Sequence, residues 1–371
     1  MKKQGPYFFE EGFIKMRIGL AYDLRTDWEF QENDPLDVNA EFDKPKTIEE
    51  MTEALEAGGH EVKRIGNVDK LLARIPDLGV DIVFNICEGR GGRTRESQVP
   101  VILDMYNIPY VGSDGLTLGL TLDKGVAKKC FVADNIPTPK SFVAVNSDNL
   151  ETADKIGFPL IVKTCHEGTS KGISAASRVE DYQALKRQVD LVTQVYQQPA
   201  LIEEFIKGTE FTVAVLGNEE PVAMPVVQVS MDGNVNLGDS FYYFEMVSSD
   251  RLQYVCPAKA SEDLARQMQA LAVRVYRSVG CRDLGRVDFR VDDQGNPYVL
   301  EINPLPSLSH EDVFNIFPQE FGLTYADAIN YVLQLAAHRC GMVERPASNP
   351  FLKTDSSKMR DAQYEMRYTR Q

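Results

Sequence analysis

Between residues 15 and 86 short apolar strands alternate with helices, and that alternation constrains the fold more than any other feature of the 371-residue chain. The pattern predicts strands over 15–21, 61–65 and 81–86, and helices over 47–57 and 68–74. Thr47 with Glu50 three residues on makes a capping-box pattern, and Gly58-Gly59 closes that helix. Residues 81–86 are an apolar run of the kind buried on both faces. Strands separated by helices imply a parallel, doubly wound sheet whose ligand edge lies at the strand C-termini. That edge carries the irregular segments 22–43 and 87–96; a helix over 97–106 and the segment 109–113 finish the unit.

Beyond it, residues 123–134 read as an amphipathic helix with Lys124 and Lys128 one turn apart. Strands follow over 141–145, 160–163, 173–176, 200–205 and 211–216, interrupted by a helix over 179–195. A third block has strands near 222–229 and 254–256, helices over 261–279 and 324–339, and a hairpin between them. The polar residues 344–371 have no apolar period and should be loosely ordered.

Composition narrows the function. At 43% hydrophobic and 26% charged residues the chain is ordinary globular protein, long enough for two or three domains. No apolar run reaches the roughly 18 residues that span a bilayer, and residues 1–15 lack the apolar core of a secretory signal, so a cytoplasmic location is expected. The six cysteines are scattered without a Cys-x-x-Cys pair and should be reduced and mostly buried. A net charge of -15 argues against a nucleic-acid partner.

The hairpin carries the chemistry. Arg286-Val287-Asp288-Phe289-Arg290 and Val299-Leu300-Glu301-Ile302-Asn303 flank the turn-rich Asp292-Asp293-Gln294-Gly295-Asn296. A turn centred between Gln294 and Gly295 pairs Asp288 with Glu301 and Arg286 with Asn303, and side chains two apart share a face. Two carboxylates and a carboxamide oxygen beside a guanidinium form a ligand set suited to magnesium carrying a nucleoside triphosphate. A merely solvated face would have the same spacing. Val287, Phe289, Leu300 and Ile302 on the opposite face, and the stiff exit Pro304-Leu305-Pro306-Ser307, favour a site.

Two more segments suit ATP. Lys163 ends an apolar strand, where a largely buried ammonium needs an anionic partner. The loop His166-Glu167-Gly168-Thr169-Ser170-Lys171-Gly172 that follows has small residues that let backbone N–H groups approach phosphate; a plain turn has the same look, and it is not a Walker loop. Glu203-Glu204-Phe205-Ile206 and Glu210 offer backbone groups and carboxylates for adenine and ribose, or form an ordinary strand with exposed acids.

In order and spacing, Lys124, Lys163, Glu167-Gly168-Thr169-Ser170, Glu203-Glu204-Phe205-Ile206, Glu210, Arg286-x-Asp288 and Glu301-x-Asn303 resemble the ATP-grasp superfamily and, within it, the D-alanine–D-alanine ligase family, over residues 15–338. The resemblance implies an α/β and α+β architecture of three domains: a doubly wound parallel-sheet domain at 15–122, a small central domain at 123–216 and a C-terminal domain with the metal site at 217–340, before a polar tail at 341–371. It implies that Lys124, Lys163 and a flap containing Glu167, Gly168, Thr169 and Ser170 hold the phosphates. Glu203, Glu204, Phe205, Ile206 and Glu210 would hold adenosine. Asp288, Glu301 and Asn303 would ligate two magnesium ions, with manganese as the alternative ion. Arg286 and the backbone N–H near Ser307 would stabilise a tetrahedral intermediate, and Glu41 would receive the first substrate's ammonium. The implied reaction passes through an acyl phosphate and ADP to an amide, in a homodimer.

Four positions depart from the family pattern. Glu88-Gly89 stands for a histidine-glycine pair; Met246 stands near a lysine over the reacting phosphate, with Lys171 or Arg251 as candidate replacements. Ser307 replaces a glycine, and Asp312 replaces a serine that binds the acceptor's carboxylate. These four point to an ADP-forming ligase joining an amino acid to an altered acceptor, an amine with a cationic group facing Asp312. The alternatives are an authentic D-alanine–D-alanine ligase and a catalytically silent ATP-binding regulator.

Overall fold

The computed structural model describes residues 14–247, 251–346 and 349–352, so most of the expected 341–371 tail lies outside the described residues. Its strands form three sheets. The first is fully parallel, with β1 (Arg17–Tyr22), β2 (Glu61–Gly66), β3 (Ile82–Ile86) and β4 (Tyr110–Val111) in the order β2-β1-β3-β4. Every residue of β3 is buried, as a strand covered on both faces requires. One face packs against helices Pro45–Ala57 and Tyr325–Arg339, in a core that also takes in Ala214, Leu216, Val227 and Leu284 of the third sheet. The last helix therefore returns to cover the first sheet.

The second sheet is antiparallel: β5 (Ser141–Ala144), β6 (Leu160–Thr164), β7 (Arg178–Val179) and β8 (Ala200–Glu204) in the order β5-β8-β6-β7, backed by helix Tyr182–Val195. The third has β9 (Gly208–Leu216), β11 (Val227–Met231), β12 (Leu252–Val255), β13 (Leu284–Asp292) and β14 (Pro297–Asn303) in the order β12-β11-β9-β13-β14. A short β10 (Val222–Ala223) pairs with β9. Because β9 is a member of the third sheet, a partition by sheets falls between Glu204 and Gly208 rather than after residue 216. At the start of β9 its neighbour β13 approaches so closely that a Cβ at Gly208 would lie 1.9 Å from the Val291 carbonyl oxygen.

Local differences from the sequence expectations have local causes. The first helix opens at Pro45, not Thr47, with Lys44 extended at its N-cap, because proline's fixed φ suits the first helical position. Residues expected as a strand at 173–176 instead enter a 3-10 turn at Ala175–Ser177. Ser174 and Ser177 side chains there accept from Ala176 and Ser174 N–H groups and compete with a ladder. Helix Gly115–Leu122 escaped the periodicity because its glycines and threonines are weak helix formers; Asp114 caps it by accepting from Thr117 N–H at 3.0 Å. The strand expected near 222–229 is split around Pro225, which cannot donate to a ladder. All six cysteines are free thiols, with Cys87, Cys165 and Cys281 buried. Among the described residues no helix is long and apolar enough to cross a membrane.

Candidate active site

The β13–β14 hairpin pairs Asp288 with Glu301 and Arg286 with Asn303, as the sequence implies, although by a different route. The turn is centred on Gln294 rather than between Gln294 and Gly295, and Asp292 Oδ1 accepts from the backbone N–H groups of Gln294 at 2.9 Å and Asn296 at 2.8 Å. Near it Phe289 faces Val299, and a bulge after Asp288 takes up the extra residue and restores the pairing at the site. As a result Val299 enters the core beside Phe289, whereas Leu300, expected there, lines the cavity.

The polar face is held from several sides. Asp288 accepts from Thr212 Oγ1 at 2.6 Å, Asn303 Nδ2 at 3.0 Å and Arg286 Nε at 3.1 Å. Glu301 lies 3.1 Å from the Lys124 ammonium. Burial alone would raise both carboxyls; it prevails at Asp288, whereas Lys124 and Lys163 hold Glu301 below its ordinary range. These hard oxygen donors on one face, with cations drawn against them, fit a divalent ion of the magnesium class.

The nucleotide side is organised around Glu203. This 1%-exposed carboxylate lies 2.5 Å from both Lys128 and Lys163. Burial would raise it, but the two ammonium groups outweigh that and hold it at about 2. Lys163 thus finds its anionic partner within the protein while still lining the cavity. The Phe205 ring is met by the guanidiniums of Arg178 at 4.8 Å and Arg290 at 4.9 Å, and packs with Ile161 and Phe241. Arg290, missed in the sequence, is 3% exposed and donates to the carbonyls of Ile206 at 2.5 Å, Ser240 at 2.7 Å and Gly238 at 2.9 Å. It also pairs with Glu210. Its signal was present: Arg286, Asp288 and Arg290 alternate on one strand face. Glu204, Phe205, Ile206 and Glu210 all line the same cavity.

Gly168, Thr169 and Ser170 also line it, with Thr169 and Ser170 held at φ 47° and 54°, in the left-handed region. Glu167 turns aside. It meets Lys171 at 2.9 Å, Gln198 at 2.8 Å and Arg95 at 3.6 Å and is not among the residues that line the cavity. Lys124 does not line the cavity either; it reaches the Glu167 carbonyl and Glu301.

At the first-substrate end, Arg95 is 5% exposed and pairs with Glu41, with Glu96 at 3.9 Å and Glu88 at 4.0 Å beyond. Burial and the neighbouring acids push Glu88 well up; burial would also raise Glu41, but Arg95 and Lys171 hold it at about 2. Arg90 and Arg93 point outward, to Asp69 and Asp123. Of the loop's three arginines only Arg95 turns inward, where it and Gly168 N–H engage Glu41, which lines the cavity.

The acceptor end differs most from expectation. Asp312 lies 3.3 Å from Arg286, so its charge faces a guanidinium of the protein. Met246 packs with Val229, Met231 and Leu237 in a separate apolar cluster and does not line the cavity. Of the two candidate replacements, Lys171 pairs with Glu167 at 2.9 Å and Arg251 is paired at the surface with Asp232 at 2.7 Å. Tyr242 and Tyr254 line the cavity instead, their hydroxyls pushed up by burial and by Asp312. Ser307 is exposed on the cavity rim. The whole cavity holds about 640 Å³ and joins all three sheets.

A glycine-containing flap, an apolar cluster of Ile161, Phe205 and Phe241 and an acidic hairpin surround one cavity. Residues 135–334 match the family model for the D-ala D-ala ligase C-terminus. A D-alanine–D-alanine ligase of Pelotomaculum thermopropionicum is 31% identical over 310 residues, covering 81% of this chain and 94% of that protein. One from Bordetella avium is 32% identical, covering 73% and 85%. The structure of a Bacillus anthracis D-alanine–D-alanine ligase complexed with ATP superposes with a TM-score of 0.69 at 21% identity, covering 88% of this chain and 99% of that one. That of the VanG D-Ala:D-Ser ligase of Enterococcus faecalis gives 0.66 at 20% identity, covering 87% and 100%. The chain belongs to the D-alanine–D-alanine ligase family, and it is an ATP-grasp, ADP-forming ligase that makes a C–N bond.

Proposed function

We propose that the protein uses ATP and magnesium to join the carboxylate of one small amino acid to the amine of a second substrate, and that this acceptor is not D-alanine. In the first step the carboxylate takes the γ-phosphoryl group and ADP leaves. In the second the amine attacks the acyl carbon, phosphate departs and the nitrogen loses a proton. Asp288, Glu301 and Asn303 would hold two magnesium ions, which offset charge on the transferring phosphoryl. Arg286 would stabilise the oxyanion, Lys163 the phosphates, and Phe205 the adenine ring. A cytoplasmic homodimer is part of the proposal, and light scattering on the purified protein tests the dimer.

The observation that carries the altered acceptor is the Arg286–Asp312 pair. A carboxylate-bearing acceptor would approach an arginine already shared between Asp288 and Asp312, and would meet a second negative charge. A cationic partner group for Asp312, the sequence expectation, gives way to an acceptor that lacks a free carboxylate at this point. D-Alanine as acceptor is the second reading, favoured by the relatives that bear that ligase's name. ADP release measured over a panel of amino acids and amines separates them: robust turnover with D-alanine alone overturns the altered acceptor, and ATP binding without ADP release under any pairing overturns the ligase reading.

A further inference from the structure

The flap is fastened at both ends to the irregular segment that precedes helix Pro45–Ala57. At its start, Gly168 N–H donates to Glu41. At its end, Gly172 N–H donates to Asp37 Oδ2 at 2.7 Å. Asp37 is 5% exposed and also accepts from the Tyr196 hydroxyl at 3.0 Å, at the end of helix Tyr182–Val195. Two carboxylates of the first unit thus receive two glycine N–H groups of the second, at matching spacing along both segments.

The receiving side is rigid. Arg25 donates to the carbonyls of Ala40 at 2.5 Å and Phe42 at 2.7 Å, and Ala40 N–H closes a turn on the Asp37 carbonyl at 3.0 Å. The flap side admits no substitute: Gly172 has φ +77°, and a Cβ there would lie 2.5 Å from Thr164 and 3.3 Å from Tyr196. Gly168, Thr169 and Ser170 form part of the cavity wall, so opening these fastenings would move that wall away from the site.

We propose that Asp37 is a positioning residue that latches the flap closed while the acyl phosphate exists, and that Tyr196 sets the latch by orienting its carboxylate. The inference rests on the ligase reading for its consequence in catalysis. A closed flap leaves the amine as the nucleophile; an open one lets water attack the same acyl carbon, returning the free acid and phosphate after ATP has been spent.

Losing hydrogen bonds to a charged acceptor shifts the open–closed balance by on the order of tenfold. Hydrogen–deuterium exchange on the full chain, without any substrate, should therefore show amides of residues 168–172 exchanging about tenfold faster in Asp37→Ala, with the first and third sheets unchanged. Tyr196→Phe, which leaves Asp37 and Gly172 joined, should show a smaller change in the same segment. In turnover, Asp37→Ala should release more ADP than amide, whereas the wild type releases them in equal amounts. Unchanged flap exchange in Asp37→Ala overturns the latch, and so does a fall in both products with their ratio kept at one. A wild type that makes no ADP would refute the ligase reading and leave the exchange result standing.

Discussion

Arg286 bridges Asp288 on its own strand, at 3.1 Å, and Asp312 at the start of helix Val313–Ile316, at 3.3 Å. One guanidinium thereby ties the acidic hairpin to the loop that ends the cavity. Both contacts are charge-assisted, and together they fix the position of a half-buried arginine. Arg286→Lys should lower kcat by about 10²- to 10³-fold, because an ammonium cannot hold both carboxylates and face an oxyanion. Asp312→Asn should cost less, about tenfold, since Asp288 still holds the guanidinium. Steady-state ADP release checks both.

Asp288→Ala should reduce magnesium-dependent ADP formation to background while the melting temperature stays near that of the wild type. The side chain lies on the cavity face of β13, and Phe289 and Val287 on the other face carry the packing. A variant that retains turnover would remove Asp288 from the metal site.

Glu203→Gln should destabilise the fold by about 3–5 kcal/mol, because it leaves Lys128 and Lys163 buried without their counter-ion. The same group predicts acid sensitivity. Its carboxyl titrates at about 2 in the folded chain against an ordinary 4.5, so its stabilisation is complete above 4.5 and is lost as pH falls toward 2. Denaturant melts across that window, compared with Glu203→Gln, measure its share.

His60 gives a second, milder window. Its imidazole is buried, accepts from Met16 N–H at 3.3 Å, and is lowered by burial from 6.5 to about 4. Between those values the unfolded chain takes up a proton that the folded chain refuses, so stability falls as pH drops from 6.5 toward 4. His60→Gln should flatten that slope, as read by thermal melts at stepped pH.

The register of the hairpin was legible because alternation and turn residues are local signals. Even so, the pairing of Asp288 with Glu301 depends on a bulge that places Leu300 at the cavity and Val299 in the core. Phe205 and the glycine flap were also legible as types of residue in sequence order. Tyr242, Tyr254 and Asp37 were not, since no local pattern marks them; Arg290 was signalled by strand alternation, but its distant partners Ile206, Gly238, Ser240 and Glu210 were not. Met246, in the short helix Phe244–Val247, packs with Val229, Met231 and Leu237, a placement that its position in the sequence does not indicate.

By itself the sequence determined what short-range patterning can encode: a parallel sheet first, an acidic hairpin late, and cations and glycines between them in an order that identifies the family. Only the tertiary structure decided which charges neutralise one another. Arg95 takes Glu41, Lys128 and Lys163 take Glu203, and Arg286 takes Asp312, because burial makes each unpaired charge costly and the fold brings a partner within reach.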